Sequence, residues 1–173
     1  MKARFGPVQA LDAAHRVEGF DCGSRAQSEW LARHALQAHR SGSSRVYVVC
    51  SREEADATRV VGYYALAAGS VSPAQAPSRL LRGAGQYQQP VVILTRLGVS
   101  VDVQGVGLGR ALVVDALRRV AVAGEVVGVR AVLIHCESES ARAFYRRLAQ
   151  FEDSSTDPLH LFLLKKDLRR ALG

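Results

Sequence analysis

Three glycines alternate with other residues in one short stretch, which reads QGVGLG from Gln104 to Gly109. Glycine allows a tight backbone turn and leaves the backbone N–H groups accessible. Beyond this stretch, small and apolar residues recur at every fourth position, which predicts the buried face of a helix. They are Leu108, Leu112, Ala116 and Val120. Because N–H groups at the start of a helix attract anions, the stretch predicts a pyrophosphate-binding loop.

Two other interpretations of these glycines stay open. A dinucleotide-binding loop has the spacing G-x-G-x-x-G, with an acidic residue about 20 positions later at the end of a second parallel strand. Here the spacing is G-x-G-x-G, and Glu125 lies in a segment broken by glycines. The other interpretation is a turn that needs glycine only for its backbone conformation.

The composition describes an ordinary globular protein without the features of a metal centre. The 173 residues are 48% hydrophobic and 23% charged, and no apolar run reaches the roughly 20 residues that span a bilayer. The start of the chain has no signal-peptide core, so a cytoplasmic protein without a membrane segment is expected. Three widely spaced cysteines without C-x-x-C suggest reduced thiols, and His34 and His39 are five positions apart, so no metal site is expected.

The periodicity of the whole sequence predicts an α/β (α+β) fold in a single domain over residues 1–173. Strands are predicted at 8–11, 45–52, 59–71, 91–94, 129–136 and 159–164. Helices are predicted at 24–39, 108–120, 140–148 and 165–172. Ser24 and Gln27 match a capping box, and segment 72–89 holds at most one helical turn, near Arg79. This order predicts a mixed central β-sheet flanked by helices.

Two spaced motifs resemble those of the GNAT acyltransferases. The run Gln104-x-x-Gly107-x-Gly109 is similar to their pyrophosphate loop, and the segment from Ser138 to Tyr145 is similar to their N-x-x-A-x-x-F-Y segment. The resemblance implies the GNAT fold, with acetyl-CoA in the splay between the central strand and the strand at 129–136. It implies that one set of residues binds the cofactor: Leu97, Val99, Gln104, Gly105, Val106, Gly107, Leu108, Gly109, Arg110, Ser138 and Phe144.

The same resemblance implies the chemistry. Acyl transfer needs a positioned amine, a donor for the developing oxyanion and a proton for the departing thiolate. An N–H group between Leu97 and Val99 is the expected oxyanion donor, and Tyr145 stands at the position of the family's general acid. The alternative for Tyr145 is a core aromatic residue packed with Phe144. The general base stays undetermined, with Glu137 and a water molecule as candidates.

This chain departs from the family pattern at two places. Ser138 stands where the family usually has Asn, and the segment after Tyr145 lacks the usual glycine and carries one extra residue before Phe151. The first departure implies a weaker or water-mediated contact with coenzyme A. The second implies an altered backbone behind Tyr145.

Further segments across nearly the whole chain resemble one GNAT subgroup, the toxins of bacterial toxin–antitoxin pairs. They are FDCG at 20–23, VGYYAL at 61–66, RLGV at 96–99 and DPLHL at 157–161. Members of that subgroup acetylate the α-amino group of aminoacyl-tRNA and so block translation. The resemblance therefore implies a charged tRNA substrate, a ribbon-helix-helix antitoxin and a homodimer.

The charge of the chain agrees with a polyanionic substrate, although a solvated basic surface would also account for it. The net charge is +7, from 23 Lys and Arg against 16 Asp and Glu. The expected phosphate contacts are Arg25, Arg33, Arg45, Arg79, Arg82 and Arg96. Three alternatives remain. The first is a GNAT enzyme that acts on a small amine, a polyamine or a protein N-terminus. The second is a non-catalytic domain that binds coenzyme A, and the third is a basic nucleic-acid-binding module.

Overall fold

The computed structural model describes residues 4–53 and 57–173. The chain divides into two compact units, of which the first comprises Met1–Ala67 and Arg96–Asp115. The second comprises Ala68–Thr95 and Ala116–Gly173. Within the described residues, every helix is too short or too polar to cross a membrane. The organisation of residues 1–173 as a single domain stays a prediction.

The described strands form a seven-stranded mixed sheet in the order β1-β2-β3-β4-β5-β7-β6. The strands are β1 Gln9–Ala10, β2 Arg45–Cys50, β3 Val60–Val71, β4 Gln89–Val99, β5 Ala131–His135, β6 Glu152–Asp153 and β7 His160–Leu164. β4 and β5 are parallel, whereas β1 with β2, β2 with β3, β5 with β7 and β6 with β7 are antiparallel. The predicted mixed sheet is confirmed.

Helices connect and flank the strands, as predicted. They are α1 Arg25–Arg33, α2 Ala35–Ser41, α3 Ser78–Leu81, α4 Leu108–Ala123, α5 Glu139–Leu148 and α6 Leu168–Leu172. The prediction of one continuous helix over 24–39 is wrong, because the backbone leaves the helical region at His34 and separates α1 from α2. The single turn expected near Arg79 is confirmed as α3.

The core of the first unit lies between β2, β3 and the two helices α1 and α2. Its buried side chains are Leu11, Phe20, Leu31, Ala35, Val46, Val48, Cys50, Val60, Tyr63 and Ala65. The Ser24 side chain accepts a hydrogen bond from Gln27 N at 3.2 Å, which begins α1. This core supports the turn at residues 20–23, which precedes that helix.

The core of the second unit lies on one face of β5 and β7. It joins Val71, Ala76, Leu80, Val91, Ala131, Leu133, Phe162 and Leu164. The parallel register pairs Val91 with Ala131 and Leu94 with Ile134, after which β4 runs on to Val99. The sequence predicts the apolar run 91–94 within this strand and places the end of the strand at Leu97 to Val99, which is where the structure ends it.

Candidate active site

The glycine loop leads directly into α4. Gly105 and Gly107 have φ of +82° and +92°, in the left-handed region that side chains rarely adopt. A Cβ atom on either residue would meet no atom within 4 Å, so conformation and not crowding requires glycine here. The first bond of the helix runs from Ala111 N to Gly107 O at 3.1 Å. The N–H groups before it are therefore available to an anion at the positive end of α4.

Gln104 holds this loop onto its own unit. Its Nε2 donates to Val99 O at 2.9 Å and to Cys22 O at 3.0 Å. The side chain thus ties the loop to the end of β4 and to the turn before α1. The amide nitrogen of Gln104 therefore positions the loop. The direct contact of Gln104 with the cofactor that the sequence predicts stays a prediction.

The end of β4 is packed closely against the turn at residues 20–23. A Cβ atom on Gly98 would lie 3.1 Å from a ring carbon of Tyr63 and 3.2 Å from the Cys22 sulfur. Beyond the strand, Ser100 N donates to Val61 O and Val101 N donates to Asp21 O, both at 2.8 Å. The segment from Leu97 to Val99, where the oxyanion donor is expected, is therefore firmly held.

An ion pair supports the 3₁₀ turn at Val101–Val103, which lies between β4 and the loop. The Ser100 hydroxyl donates to the Asp102 carboxylate, and Arg59 Nη2 lies 3.0 Å from Asp102 Oδ2. The hydrogen bond from Ser100 and then the charge of Arg59 lower the pKa of Asp102. Asp102 consequently stays ionised at neutral pH.

A groove of about 470 Å³ lies beside the loop in the same unit. Its walls come from the segment before β1, the end of β2 and the start of α4. The lining residues include Phe5, Val49, Arg52, Val106 and Leu108. Sequence reasoning missed Phe5 and Arg52, because both lie far from the loop along the chain.

Arg96 is part of an aromatic cluster that sequence reasoning also missed. Its guanidinium lies 5.2 Å from the centre of the Trp30 ring, and its Nη1 donates to Gln27 Oε1 at 3.2 Å. Trp30 stacks on Tyr63, whose hydroxyl donates to Gln27 O at 2.7 Å. The helical pattern predicts Trp30 on the buried side of α1, but no sequence signal links it to Arg96.

Tyr145 is buried in the second unit, on α5. Its ring makes edge-to-face contacts with Phe144 and Phe151, at 5.2 Å and 6.4 Å between centroids. Burial is the main reason that its pKa lies well above the ordinary value, and Cys136 and Glu137 raise it further. The phenol is therefore protonated at neutral pH, as a general acid must be.

The segment after Tyr145 ends its helix without glycine. Ala149 is extended, with φ −160° and ψ 168°, and Phe151 N donates to Ala149 O at 3.1 Å. This brings Phe151 back onto the Tyr145 ring. Ser138 is the N-cap of α5, since its hydroxyl accepts a hydrogen bond from Ala141 N at 3.2 Å. Its contact with coenzyme A stays a prediction.

The six arginines expected at a tRNA have different surroundings. Arg25 pairs with Glu29 at 2.9 Å, and Arg79 bridges Glu152 and Asp167 at 3.1 and 3.0 Å. Arg45 donates to His39 O at 3.2 Å. Among the described residues, the side chains of Arg33 and Arg82 make no hydrogen bond or ion pair. Four of the six arginines, Arg25, Arg33, Arg45 and Arg96, lie in the first unit. Arg79 and Arg82 lie in the second unit.

Within residues 4–53 and 57–173, no three His, Cys, Asp or Glu side chains are grouped to hold a metal ion. Cys136 is buried, and burial raises its pKa to about 11, which makes it a poor nucleophile at neutral pH.

No protein-family model matches the chain. It is, however, 44% identical over 169 residues to a tRNA-acetylating toxin of Mycobacterium tuberculosis, with 98% of each protein covered. The chain belongs to the tRNA-acetylating toxins, which have the GNAT fold. As a member of this family it is an acetyltransferase of a toxin–antitoxin system.

Solved structures of such toxins share its fold. A tyrosine-to-phenylalanine variant of KacT matches with a TM-score of 0.87 at 27% identity, covering 96% of this chain and 98% of that one. AtaT complexed with acetyl-methionyl-tRNAfMet matches with a TM-score of 0.85 at 29% identity, covering 96% and 99%. A tyrosine-to-phenylalanine variant of AtaT, bound to the C-terminus of the antitoxin AtaR and to acetyl-CoA, matches with a TM-score of 0.81 at 26% identity, covering 96% and 97%.

Proposed function

We propose that this chain transfers an acetyl group from acetyl-CoA to the α-amino group of aminoacyl-tRNA, and so acts as the toxin of a toxin–antitoxin pair that blocks translation. The observation that carries this proposal is the 44% identity with a tRNA-acetylating toxin over nearly the whole chain. The glycine loop and the buried Tyr145 supply the groups that the reaction requires.

The residues around the loop fit the pyrophosphate of acetyl-CoA. Left-handed Gly105 and Gly107 open the backbone before α4, and the N–H groups of the first helical turn supply donors. Arg110 adds a positive charge in that first turn. Bound acetyl-CoA supplies the activated acetyl group as a thioester. The binding set proposed here is Leu97, Val99, Gln104, Gly105, Val106, Gly107, Leu108, Gly109, Arg110, Ser138 and Phe144.

Tyr145 is proposed as the general acid that protonates the departing thiolate. Its ring packs edge-to-face against Phe144 and Phe151, and its raised pKa keeps the hydroxyl protonated. No hydrogen bond to another described residue occupies this hydroxyl, so it is free to donate to sulfur. The oxyanion donor is proposed among the N–H groups from Leu97 to Val99.

The acceptor is a polyanion, and arginines are the proposed phosphate contacts. Arg33 and Arg82 are the strongest candidates, because Arg25 and Arg79 are paired with carboxylates of their own units. Arg96 is held in place by Trp30 and Gln27, so its charge is already oriented. Preorganised charge binds with a smaller loss of side-chain entropy.

The antitoxin partner is proposed to be a ribbon-helix-helix protein, and the toxin a cytoplasmic homodimer. AtaT has been solved with the C-terminus of its antitoxin AtaR, which supports an antitoxin partner for this chain. A basic toxin with a net charge of +7 favours an acidic or amphipathic inhibitory segment.

The test is acetyl transfer from radiolabelled acetyl-CoA to a pool of charged tRNA. We expect label on aminoacyl-tRNA and its release, as an N-acetylated amino acid, when the ester is hydrolysed. The matched control is the same tRNA pool deacylated beforehand, which lacks the α-amino group. Equal labelling of both pools, or no labelling of either in the presence of bound acetyl-CoA, would contradict the proposal.

A GNAT enzyme of a small amine, a polyamine or a protein N-terminus is the alternative. Adding spermidine, free amino acids and a peptide amine to parallel reactions separates the two. Transfer to one of these amines without transfer to charged tRNA would favour the alternative.

A further inference from the structure

Two histidines stack at the end of the sheet where β5 finishes and β7 begins. His135 is the last residue of β5 and pairs in register with His160, the first residue of β7. Their ring centres are 4.2 Å apart and the ring planes differ by 17°. His135 is only partly shielded from solvent, so its imidazole can reach a molecule that arrives from solvent.

The pair occupies a defined face of the sheet. The cross-strand pairs Ala131 with Leu164 and Leu133 with Phe162 are buried in the core of the second unit, and the two histidines continue that row. Because successive side chains of a strand point to opposite faces, Cys136 faces away from this row. Burial is the main reason that the pKa of Tyr145 is raised, and Cys136 lies close enough to add to that effect. The imidazoles and the phenol therefore lie on opposite faces near the same end of β5.

Asp157, in the loop before β7, contacts the second member of this pair, His160. Its Oδ2 lies 3.4 Å from His160 Nε2, its Oδ1 accepts from Leu159 N at 2.9 Å, and its carbonyl accepts from His160 N at 3.2 Å. This is the arrangement of a carboxylate that orients an imidazole.

The electrostatics favour a neutral His135. Burial and then the nearby His160 lower its pKa, against an opposing effect of Asp157. On β4, the residue that follows the last register pair with β5 is the uncharged Thr95. His135 therefore has an unprotonated ring nitrogen that can accept a proton at neutral pH. A metal is not its partner, because no three His, Cys, Asp or Glu side chains among the described residues are grouped to hold one.

We infer that His135, oriented by His160 and Asp157, is the general base that takes a proton from the α-ammonium group of the acceptor. This inference rests on the proposed function and assigns the base that the sequence left open. A carbonyl-attacking amine must be neutral, and the α-amino group of a peptide has a pKa of about 7.7 to 8.0. A base on the face opposite Tyr145 serves the amine while the phenol serves the sulfur.

The protons and bonds balance in this scheme. An ammonium N–H bond breaks and its proton bonds to the imidazole of His135. The amine nitrogen then forms the bond to the acetyl carbon while the C–S bond breaks, and the sulfur takes the phenol proton of Tyr145. The new amide nitrogen loses its second proton, the phenolate regains one, and His135 releases its proton to water.

The test compares the pH profile of kcat/KM for charged tRNA in the wild type, His135→Gln and His34→Gln. His34 is an exposed histidine in the first unit and serves as the matched control. We expect the wild type to lose activity only as the pH falls below the ordinary histidine pKa of about 6.5. His135→Gln should lose about 10²-fold at pH 6 and recover as the pH rises past about 8, where the amine deprotonates without help.

Two further measurements keep the test decisive if His135→Gln folds poorly. Added imidazole should restore activity to His135→Ala, since it supplies the missing base. His160→Phe keeps the stacked ring but loses the partner of Asp157, and we expect a smaller loss of kcat with the acidic limb moved to higher pH.

If the pH profile of kcat/KM in His135→Gln equals that of the wild type, the inference is overturned. It is also overturned if His135→Gln raises only the KM for tRNA and leaves kcat unchanged, because that result would indicate that His135 stacks against the substrate. If the wild type itself does not acetylate charged tRNA, the proposed function fails as well. Transfer by the wild type together with an unchanged His135→Gln profile overturns only the assignment of the base.

Discussion

At the scale of single residues, Tyr145 combines two roles that sequence reasoning treats as alternatives. It is a core aromatic residue, because Phe144 and Phe151 pack on its ring. It is also suited to be an acid, because the burial that makes it part of the core raises its pKa and keeps the phenol protonated. The two interpretations are therefore compatible.

We expect Tyr145→Phe to reduce kcat by about 10²- to 10⁴-fold, the usual contribution of a positioned general acid. The affinity for acetyl-CoA and the melting temperature should stay near those of the wild type, because the ring is kept and only the hydroxyl is removed. Rapid-quench acetyl transfer, calorimetry and thermal unfolding measure the three quantities.

The control is Tyr47→Phe, which removes a phenol hydroxyl from β2 while keeping the ring that stacks on Tyr64. Equal activity losses in the two variants, or full activity in Tyr145→Phe, would rule out Tyr145 as the acid.

At the scale of elements, the loop before α4 depends on backbone conformation. Gly105 and Gly107 are left-handed, and Gln104 fastens the loop to Val99 and Cys22. The helix that follows is buried at Leu108, Leu112, Ala116 and Val120, as the four-residue repeat predicts. A fixed helix and a fastened loop together hold the free N–H groups in one orientation.

We expect Gly107→Ala to weaken acetyl-CoA binding by about tenfold. An L-residue in the left-handed region costs about 1 to 2 kcal/mol, and relieving that strain moves the N–H groups of the loop. Titration calorimetry with acetyl-CoA measures the effect.

Gly42→Ala is the matched control, because Gly42 has φ +82° at the end of α2 and equally open surroundings. It should lower the unfolding free energy by a similar amount and leave acetyl-CoA affinity unchanged. Unchanged affinity in Gly107→Ala would show that the loop does not bind the cofactor through this conformation.

At the scale of the whole molecule, charge governs both the substrate and the stability. The net charge of +7 includes arginines that are paired with carboxylates, such as Arg25 and Arg79, and others that are not. Only an unpaired arginine can neutralise a phosphate without first breaking an ion pair.

We expect the double variant Arg33→Gln with Arg82→Gln to have a lower kcat/KM for charged tRNA and a shallower salt dependence. Removing one arginine–phosphate interaction should reduce the slope of log(kcat/KM) against log[salt] by about one. Arg118→Gln, an exposed position on α4, is the control that removes a charge without removing a proposed phosphate ligand. An unchanged slope in the double variant would contradict a role for Arg33 and Arg82 at the tRNA.

Stability should fall as the pH drops below neutrality, in part because of His39. Its Nδ1 accepts a hydrogen bond from Val46 N at 3.0 Å, so this nitrogen must be unprotonated. Burial, and then Arg45, lower its pKa in the folded protein. A lowered folded pKa gives stability that is present above the unfolded value of about 6.5 and is lost as the pH falls through the folded pKa.

Urea unfolding between about pH 7.5 and pH 5 measures this effect, and His39→Gln should flatten the profile. His34→Gln is again the exposed control. The same pH dependence in His39→Gln and wild type would exclude His39 as a source.

Local patterns are informative wherever a short-range rule applies. The repeat of α4, the Ser24 N-cap of α1 and the largely apolar strands β2, β3 and β7 depend on neighbours in the chain, and the structure confirms them. The break between α1 and α2 at His34 does not follow from such patterns. Nor does the need for glycine at position 98, where a side chain would be crowded by Tyr63 and Cys22, two residues distant in sequence.

Sequence patterns alone predict the mixed sheet and the glycine loop, since each follows from periodicity or from a motif of a few adjacent residues, whereas the acid role of Tyr145 is implied by the resemblance to the GNAT family. The three-dimensional fold is needed to establish which arginines are already paired, that Trp30 supports Arg96, and that His135 stacks on His160 beside Asp157. Those arrangements join residues from separate elements, and no local pattern encodes the distance between two side chains that folding brings together.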